Sequence, residues 1–190
     1  MQVDATPIPG LWVLTPKRFG DGRGYFTETW NRNTLAAQGI EFDFVQDNES
    51  LSTTVGTLRG LHLQTPPFAQ AKLVRCVQGA IFDVAVDARR NSPSYGKWYG
   101  AELSAENGRQ LLIPAGFLHG FVTRASHTLV SYKCSAVYAP DCECAVRFDD
   151  PDLAIDWGLG DASPTLSDKD SAAGRFTALK AGPATAGTEA

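Results

Sequence analysis

Hydrophobic and polar residues alternate along most of this chain, in short runs separated by glycine and proline. The clearest run is Ala80–Asp87, where successive side chains must point to opposite faces of an extended strand. One face is apolar and carries Phe82, Val84 and Val86, whereas the other carries the acid Asp83. An acid in the middle of such a strand marks either a solvated sheet face or a functional position, and the pattern favours neither interpretation.

The same period of two predicts that the chain is almost entirely β. We expect a loop at residues 19–24, a strand or extended arm at 25–30, and strands at 11–14, 42–48, 96–103, 110–114, 117–123, 128–136 and 144–148. One short helix is predicted over residues 31–39, because Asn31 or Asn33 can cap its start and Gly39 can end it. The best match is an all-β, double-sheet jelly roll with a few short helices, which can hold a small ligand between its sheets.

Length and composition indicate one globular domain. The chain has 190 residues, of which 43% are hydrophobic, so it can bury a sizeable core. We place the domain at residues 1–170. Residues 171–190 are rich in alanine, glycine and threonine, and we expect a flexible tail there.

Charge and hydropathy exclude several classes of partner. A net charge of −4 disfavours nonspecific binding of nucleic acid, although a local basic pocket can still hold a small anion. No run approaches the roughly 20 apolar residues of a membrane span, and residues 1–10 lack the features of a signal peptide. We therefore expect a cytoplasmic protein with no membrane and no nucleic-acid partner.

The cysteines at positions 76, 134, 142 and 144 do not suggest a disulfide framework. Nothing indicates secretion, so reduced thiols are expected. Cys142 and Cys144 are separated by one residue and have no matching second pair, which disfavours a zinc site.

Residues 56–76 hold the densest group of chemically active side chains. Two β-like runs flank a proline-containing loop, and we predict a β-hairpin that returns Lys72 toward His62. Strict alternation places Arg59 and His62 on opposite faces of their strand. Both can face one cavity only if the strand is bulged or bent, which Gly60 between them permits.

Two of the three histidines, His62 and His119, fall in predicted strands, and a jelly roll can direct both into its lumen. A metal site is disfavoured. Jelly-roll metalloproteins often supply a His-x-His pair, and the equivalent segment here ends in Gln64, whose amide oxygen is a poor ligand for transition metals. Metal-free acid–base chemistry fits better, with His62 as the base and Lys72 as the cation that holds developing negative charge.

This chemistry needs two further groups from other segments of the chain. Tyr132 suits a weak acid that returns the proton. A carboxylate should orient the imidazole of His62, and both Asp83 and Asp170 are candidates. Periodicity does not choose between them.

A series of short motifs runs in order from residue 21 to residue 170. They are DGRGYF at 21–26, FVQDN at 44–48, GTLRGLH at 56–62, AQAKLVR at 69–75, FDVAVD at 82–87, SPSYGKW at 92–98, IPAGFLHGF at 113–121, YK at 132–133 and LSDKD at 166–170. Together they resemble the dTDP-4-dehydrorhamnose 3,5-epimerase family of cupin-type jelly rolls. The ordered set is far more specific than any single motif.

The resemblance implies an epimerase that acts on a dTDP-4-keto-6-deoxyhexose. It assigns the base to His62, the partner carboxylate to Asp170 and the cation beside the enolate oxygen to Lys72. The acid on the opposite face falls on Tyr132. No metal and no organic cofactor is implied.

The resemblance also implies a set of substrate contacts and a homodimer. Arg59 matches a diphosphate contact, Arg23 is similar to one, and Asp83 and His119 match residues that line the sugar pocket. The thymidine and arm region corresponds to Phe26, Glu28, Gln46 and Asn48. An N-terminal arm is expected to reach the partner's site, which places at the interface Phe19, Arg23 and Phe26.

Two alternative functions stay open. Relatives that epimerise only C3 or only C5 keep much of the same catalytic set, and Tyr132 favours double epimerisation without proving it, because ring pose can decide which proton reaches His62. A non-catalytic nucleotide-sugar binding module is the second alternative. A metal-dependent cupin oxygenase is disfavoured by the missing ligand pair.

Overall fold

The computed structural model describes residues 1–179, which form strands with a few short helices. The strands are β1 (Gln2–Ala5), β2 (Trp12–Thr15), β3 (Arg18–Asp21), β4 (Gly24–Thr27), β5 (Gln46–Ser52), β6 (Leu58–Gln64), β7 (Lys72–Gln78), β8 (Ala80–Asp87), β9 (Trp98–Ser104), β10 (Gln110–Ile113), β11 (Phe117–Thr123), β12 (Thr128–Cys134) and β13 (Glu143–Ala145). The α-helices are α1 (Arg32–Ala36) and α2 (Asp168–Ser171), and 3₁₀ turns cover Pro140–Cys142 and Phe176–Ala178.

The strands assemble into two facing sheets, so the predicted all-β, double-sheet fold is confirmed. One sheet has six strands in the order β1-β2-β10-β7-β12-β5, and the other has five in the order β13-β6-β11-β8-β9. Strands β3 and β4 pair with each other in a separate hairpin. None of the helices among residues 1–179 is long and apolar enough to span a bilayer.

Apolar side chains form three layers, one between the sheets and one on each outer face. The inner layer includes Ile81 from the five-stranded sheet and Leu111 from the six-stranded sheet. Leu35 of α1 belongs to the cluster that covers the outside of the six-stranded sheet. Trp157 and Phe176, from the irregular C-terminal segment, cover the outside of the other sheet. Both sheets are therefore buried on both faces, as the burial of apolar surface favours.

The alternation along β8 is real, but neither of its faces is solvated. Ile81 and Ala85 pack in the inner layer, whereas Val84 and Val86 pack in the outer layer of the five-stranded sheet. Asp83 lies on the inner face and is fully buried. The sequence pattern left open whether the face that carries Asp83 is solvated, and the structure shows that this face lies between the sheets.

Residues 56–76 do not form a hairpin, and that prediction is wrong. Strand β6 belongs to the five-stranded sheet and β7 to the six-stranded sheet, so the loop between them crosses from one layer to the other. Gln64 anchors this loop, because its amide nitrogen donates to the carbonyl oxygen of Phe68 at 2.7 Å. Lys72 therefore meets His62 across the sandwich and not along a shared ladder.

Several boundaries near the N-terminus also differ from the prediction. Strand β1 has no predicted counterpart, and β5 begins at Gln46 although a strand is predicted from residue 42. The loop predicted at 19–24 is the β3–β4 hairpin, in which Asp21 pairs with Gly24 across a two-residue turn. The helix prediction is confirmed in a shorter form, with Asn31 capping α1.

The packed part of the chain continues beyond the predicted domain boundary at Asp170. Phe176 and Leu179 are both buried in the cluster that covers the five-stranded sheet. The segment up to Leu179 is therefore part of the domain and not of a tail. The rest of the predicted tail, residues 180–190, lies outside the described residues.

A β-bulge at Gly60 turns Arg59 and His62 toward one cavity, so the predicted bend is confirmed. His62 pairs with His119 on β11 and Arg59 pairs with Phe121, which leaves β6 with one extra residue between the two pairs. Gly60 has φ of +126°, a region that favours glycine. Arg59 and His62 consequently line the same cavity.

We expect Gly60→Ala to lower the free energy of unfolding by about 3 kcal/mol, since it combines a disfavoured φ with a steric clash. The new Cβ would lie 2.5 Å from the Cα of Gly120, which is backbone and cannot move aside. Chemical denaturation measures the change. Gly22→Ala is the control, because its Cβ meets nothing within 4 Å and its φ lies outside the left-handed region. Equal stability of the two variants would contradict the expectation.

Candidate active site

The two sheets enclose a polar cavity of about 210 Å³ at the bulge. Its lining combines side chains from both sheets and from the turn at α2, and includes six of the predicted site residues. They are Arg59, His62, Lys72, His119, Tyr132 and Asp170. The structure therefore brings together all four predicted catalytic residues, which lie up to 108 positions apart in the chain.

A second cavity of about 310 Å³ adjoins the first, and the two share His62, Lys72 and Tyr132. Gln46 and Asn48 line this second cavity. The shared residues join the two into one cleft, and we refer to the smaller cavity as its inner part and to the larger as its outer part. A ligand with a sugar and a larger attached group fits such a shape.

His62 and Asp170 form a hydrogen-bonded pair. The Nε2 of His62 lies 2.6 Å from Oδ1 of Asp170, so Nε2–H donates to the carboxylate. Asp170 sits in the short helix α2, where Ser167 caps the start and accepts a bond from the Asp170 backbone at 3.1 Å. The structure thus selects Asp170 over Asp83 as the carboxylate that orients His62.

The pKa of Asp170 reflects two opposing effects. Burial disfavours the charged form, but the hydrogen bond from His62 and the charge of that ring outweigh it. The pKa of the Asp170 carboxyl therefore lies below its usual value. The group stays ionised beside the ring, as a partner of the base requires.

Asp83 makes an equivalent pair with the second strand histidine, His119. The Nε2 of His119 lies 2.7 Å from Oδ1 of Asp83. The His119 ring lines the inner cavity, whereas Asp83 lies behind it and has no exposed surface. Asp83 is therefore a supporting residue of the pocket and not a contact surface for a ligand.

Lys72 enters the cleft from β7 of the six-stranded sheet. Burial lowers the pKa of its ammonium group, because a charge is disfavoured away from bulk water. The nearby thiol of Cys134 and the carboxylates of Glu143 and Asp83 act in the opposite direction. The charge of Lys72 therefore depends on its neighbours.

Tyr132 lies on β12, next to β7 and on the opposite wall of the cleft from His62. Burial raises the pKa of its phenol, because the phenolate is the form that burial disfavours. The hydroxyl consequently keeps its proton at neutral pH. His62 and Tyr132 thus line the cleft from different sheets.

The arm residues lie outside this cleft. Phe19 and Phe26 are 53% and 68% exposed on the β3–β4 hairpin, and Arg23 at its tip is paired with Asp21 at 2.5 Å. Glu28 is exposed and accepts a hydrogen bond from Asn31. None of the predicted binding residues on this hairpin lines a cavity with His62 in the described part of the chain.

Sequence reasoning missed an acid at the outer cavity. Glu143 lines it, pairs with Lys169 at 2.5 Å and accepts a hydrogen bond from the hydroxyl of Tyr138 at 2.8 Å. Its motif, Cys142-Glu143-Cys144, drew attention only for its thiols. The observation that places Glu143 at the cleft is its pairing with Gln64 on β6, and this pairing is visible only in the folded chain.

Gln64 lines the outer cavity, and the fold itself occupies its amide group. Its amide nitrogen donates to the carbonyl oxygens of Phe68 and Val137, and its amide oxygen accepts from the backbone of Ala139 at 2.8 Å. These bonds hold two loops together at the end of β6. Among residues 1–179 no three His, Cys, Asp or Glu side chains are grouped to hold a metal ion.

The fold is a double-sheet jelly roll, and its cleft brings a His–Asp pair, a lysine and a tyrosine together, the kind of set that an acid–base enzyme uses. The sequence profile of one family, described as dTDP-4-dehydrorhamnose 3,5-epimerase, matches residues 5–178. The chain belongs to the dTDP-4-dehydrorhamnose 3,5-epimerase family.

Individual relatives agree over almost the whole chain. The dTDP-4-dehydrorhamnose 3,5-epimerase of Sinorhizobium fredii is 48% identical, over 90% of this chain and 87% of its own length. The crystal structure of the Bacillus anthracis enzyme, with TDP and PPi bound, has a TM-score of 0.89 at 47% identity and covers 92% of this chain and 98% of its own. The Legionella pneumophila dTDP-6-deoxy-D-glucose-3,5-epimerase, in complex with dTDP-4-keto-L-rhamnose, has a TM-score of 0.90 at 44% identity and covers 95% of each chain.

We expect Asp170→Asn to reduce stability at neutral pH and to lose this effect in acid. A carboxyl whose pKa is lower in the folded than in the unfolded state stabilises the fold above its unfolded pKa, and the contribution disappears as the pH falls through its folded pKa. Denaturation curves at about pH 7 and at several values below about pH 4 measure the difference from the parent protein. Asp168→Asn, an exposed change in the same helix, is the control. A destabilisation by Asp170→Asn that does not change with pH would argue against the ionised pair.

Proposed function

We propose that this protein converts dTDP-4-dehydro-6-deoxy-D-glucose into dTDP-4-dehydro-L-rhamnose by inverting C3 and C5 of the sugar. The observation that carries the proposal is the placement of His62 and Tyr132 on opposite sheets of one cleft, with Lys72 beside them. Membership of the family and the identity of its relatives support it. A nucleotide-activated sugar as substrate fits a cytoplasmic protein.

His62 is the base in this proposal. Because its Nε2 donates to Asp170, its Nδ1 carries the lone pair and can accept a proton from carbon. The 4-keto group acidifies the protons on C3 and C5, and the electrons of the broken C–H bond move onto the ketone oxygen. Lys72 stabilises that enolate oxygen by its positive charge. The ketone itself delocalises the charge, so the step needs no metal and no organic cofactor.

Tyr132 completes each inversion. Its neutral hydroxyl donates a proton to the carbon from the opposite wall of the cleft, so the new C–H bond forms on the face away from His62. His62 has then gained one proton and Tyr132 has lost one, and exchange with water restores both. The same pair of groups serves C3 and C5 if the ring presents each carbon in turn.

The remaining site residues hold the nucleotide in this proposal. Arg59 is fixed by donating to Ser52 and to the carbonyl oxygen of Leu51, and it presents positive charge to the inner cavity for the diphosphate. His119 faces the sugar. Gln46 and Asn48 lie in the outer cavity, where the nucleoside would bind.

A homodimer completes the site. The exposed aromatic rings of Phe19 and Phe26 and the cation Arg23 are of the kind that binds a nucleotide, yet they do not line the cleft of their own chain. We infer that the β3–β4 hairpin, with Glu28 just beyond it, reaches the cleft of a second copy. Burial of these rings on a partner would also remove exposed apolar surface from water.

The reaction can be followed in D2O with dTDP-4-keto-6-deoxyglucose as substrate. We expect NMR to show deuterium at both C3 and C5, and His62→Asn to abolish this exchange. Tyr132→Phe should slow the formation of inverted product by about 10²–10⁴-fold, while His62 still exchanges protons on its own face. Deuterium at one carbon only would support the single-site alternative.

The matched control is His127→Asn. His127 is exposed, lies outside the cleft and has φ of +51°, which asparagine tolerates, so exchange should be unchanged. A folded parent protein that exchanges neither proton but binds dTDP would favour the non-catalytic binding module. Near-normal exchange in His62→Asn would remove His62 from the role of base.

The shared site predicts complementation between two inactive variants. Arg23→Ala/Phe26→Ala should damage the partner's site, and His62→Asn should damage its own. When the two chains are co-expressed with different tags, the mixed dimer holds one intact site. Random pairing then restores about a quarter of the parent activity, because half of the dimers have one working site of two.

The control pairs His62→Asn with Tyr132→Phe, which both lie in the chain's own cleft. That mixed dimer has one lesion in each site and should stay inactive. Failure of the arm variant to complement His62→Asn, with mixed dimers isolated through both tags, would show that the hairpin serves its own chain.

A further inference from the structure

The two faces of the β3–β4 hairpin have different surroundings. Side chains two residues apart on a strand share a face, and so do residues that pair across the ladder. One face therefore carries Arg18, Tyr25 and Thr27, which line a cavity of about 80 Å³ against the rest of their own chain. The opposite face carries the exposed rings of Phe19 and Phe26, which pair with each other across the ladder. The contacts of the first face thus fix the direction of the second.

Arg18 connects the first face to the turn between β9 and β10. Its Nη1 donates to the carbonyl oxygen of Glu106 at 2.6 Å, and its Nη2 donates to that of Ala105 at 2.5 Å. The guanidinium also lies over the ring of Tyr25, with 4.4 Å between Cζ and the ring centroid. One side chain therefore contacts both strands of the hairpin and a turn that lies 87 positions later in the chain.

The turn between β9 and β10 has room for this side chain and a fixed backbone. A Cβ at Gly108 would lie 2.8 Å from Nη2 of Arg18, so the glycine leaves the space that the guanidinium occupies. The Oδ1 of Asn107 accepts from the backbone of Ser104 at 3.0 Å and from the backbone of Arg109 at 2.9 Å. These bonds hold the turn in one conformation, and with it the two carbonyl oxygens that Arg18 binds.

We propose that Arg18 is a positioning residue that holds the hairpin in the orientation in which Phe19 and Phe26 reach the cleft of a second copy. This inference rests on the proposed function, because it concerns the arm that completes the partner's site there. Arg18 itself contacts no nucleotide in this arrangement, since it lies on the face opposite to the two rings.

The hairpin needs an anchor of this kind. Each of its strands has four residues, and neither pairs with another strand among residues 1–179. An isolated two-stranded hairpin is marginally stable in water. Without Arg18, only a fraction of the hairpins would hold the binding orientation, and the apparent affinity of the partner's site would fall by that fraction. The groups that react would be unaffected, because Arg18 lines neither part of the cleft.

Arg18→Ala tests the inference, because the side chain is exposed and its loss leaves no cavity in the core. We expect faster hydrogen–deuterium exchange in residues 18–27, and a KM raised by about 5–10-fold with kcat nearly unchanged. Arg18→Lys keeps a charge beside Tyr25 and should give an intermediate KM. Arg109→Ala is the matched control, since Arg109 is also exposed but lines a different cavity, and it should change neither measurement.

Mixed dimers show whether Arg18 acts on the partner's site. When Arg18→Ala chains are paired with His62→Asn chains through two tags, the only cleft with His62 receives an intact hairpin, and KM should return to the parent value. When one chain carries both changes and its partner carries neither, the only cleft with His62 receives the loosened hairpin, and KM should stay raised. The two pairings contain the same substitutions and differ only in their arrangement.

Unchanged exchange of residues 18–27 in folded Arg18→Ala would overturn the inference, and so would an equal KM in the two pairings. If Arg18→Ala does not fold, Arg18→Gln replaces it, and failure of both to fold would assign Arg18 a purely structural role and also overturn the inference. A parent protein that fails to epimerise the sugar would refute the proposed function. The dissociation constant of dTDP then replaces KM, and equal values for Arg18→Ala and the parent would overturn the role of Arg18.

Discussion

Withdrawal of ionisable side chains from bulk water is the constraint on which this site depends. Burial lowers the pKa of Lys72 and raises that of Tyr132, and the physical cause is the same in both cases. The effect keeps the proton on Tyr132, as its proposed role as an acid requires. It works against the charge of Lys72, which the thiol of Cys134 and the carboxylates of Glu143 and Asp83 favour. Burial also acts to raise the pKa of Asp170, but the interaction with His62 outweighs this effect.

The two-sheet architecture determines from which side of the cleft each of these groups projects. His62 projects from the five-stranded sheet, and Lys72 and Tyr132 project from the six-stranded sheet. In the proposed reaction, a sugar ring between the sheets meets His62 on one face and Tyr132 on the other. The apolar layer between the sheets holds them together, so the separation of these groups is set by packing away from the chemistry.

The catalytic set was accessible from the sequence, but its geometry was not. Residue chemistry and ordered motifs singled out His62, Lys72 and Tyr132, and the glycine between Arg59 and His62 correctly indicated a bulge. The expected hairpin was wrong, although Lys72 does approach His62, because a loop that crosses between sheets has the same local signals as one that closes a hairpin. Glu143 was missed because strand pairing alone brings it to the cleft.

The sequence by itself determined most of the strands and the faces of their side chains, because alternation with period two is a local property of extended backbone. It could not determine which sheet each strand joins, since that choice depends on packing between distant segments. Only the tertiary structure decided that Asp170 and not Asp83 orients His62, and that β6 and β7 face each other across the cleft. It also showed that the chain stays packed to Leu179, because the apolar cover of the five-stranded sheet comes from a segment without strand periodicity.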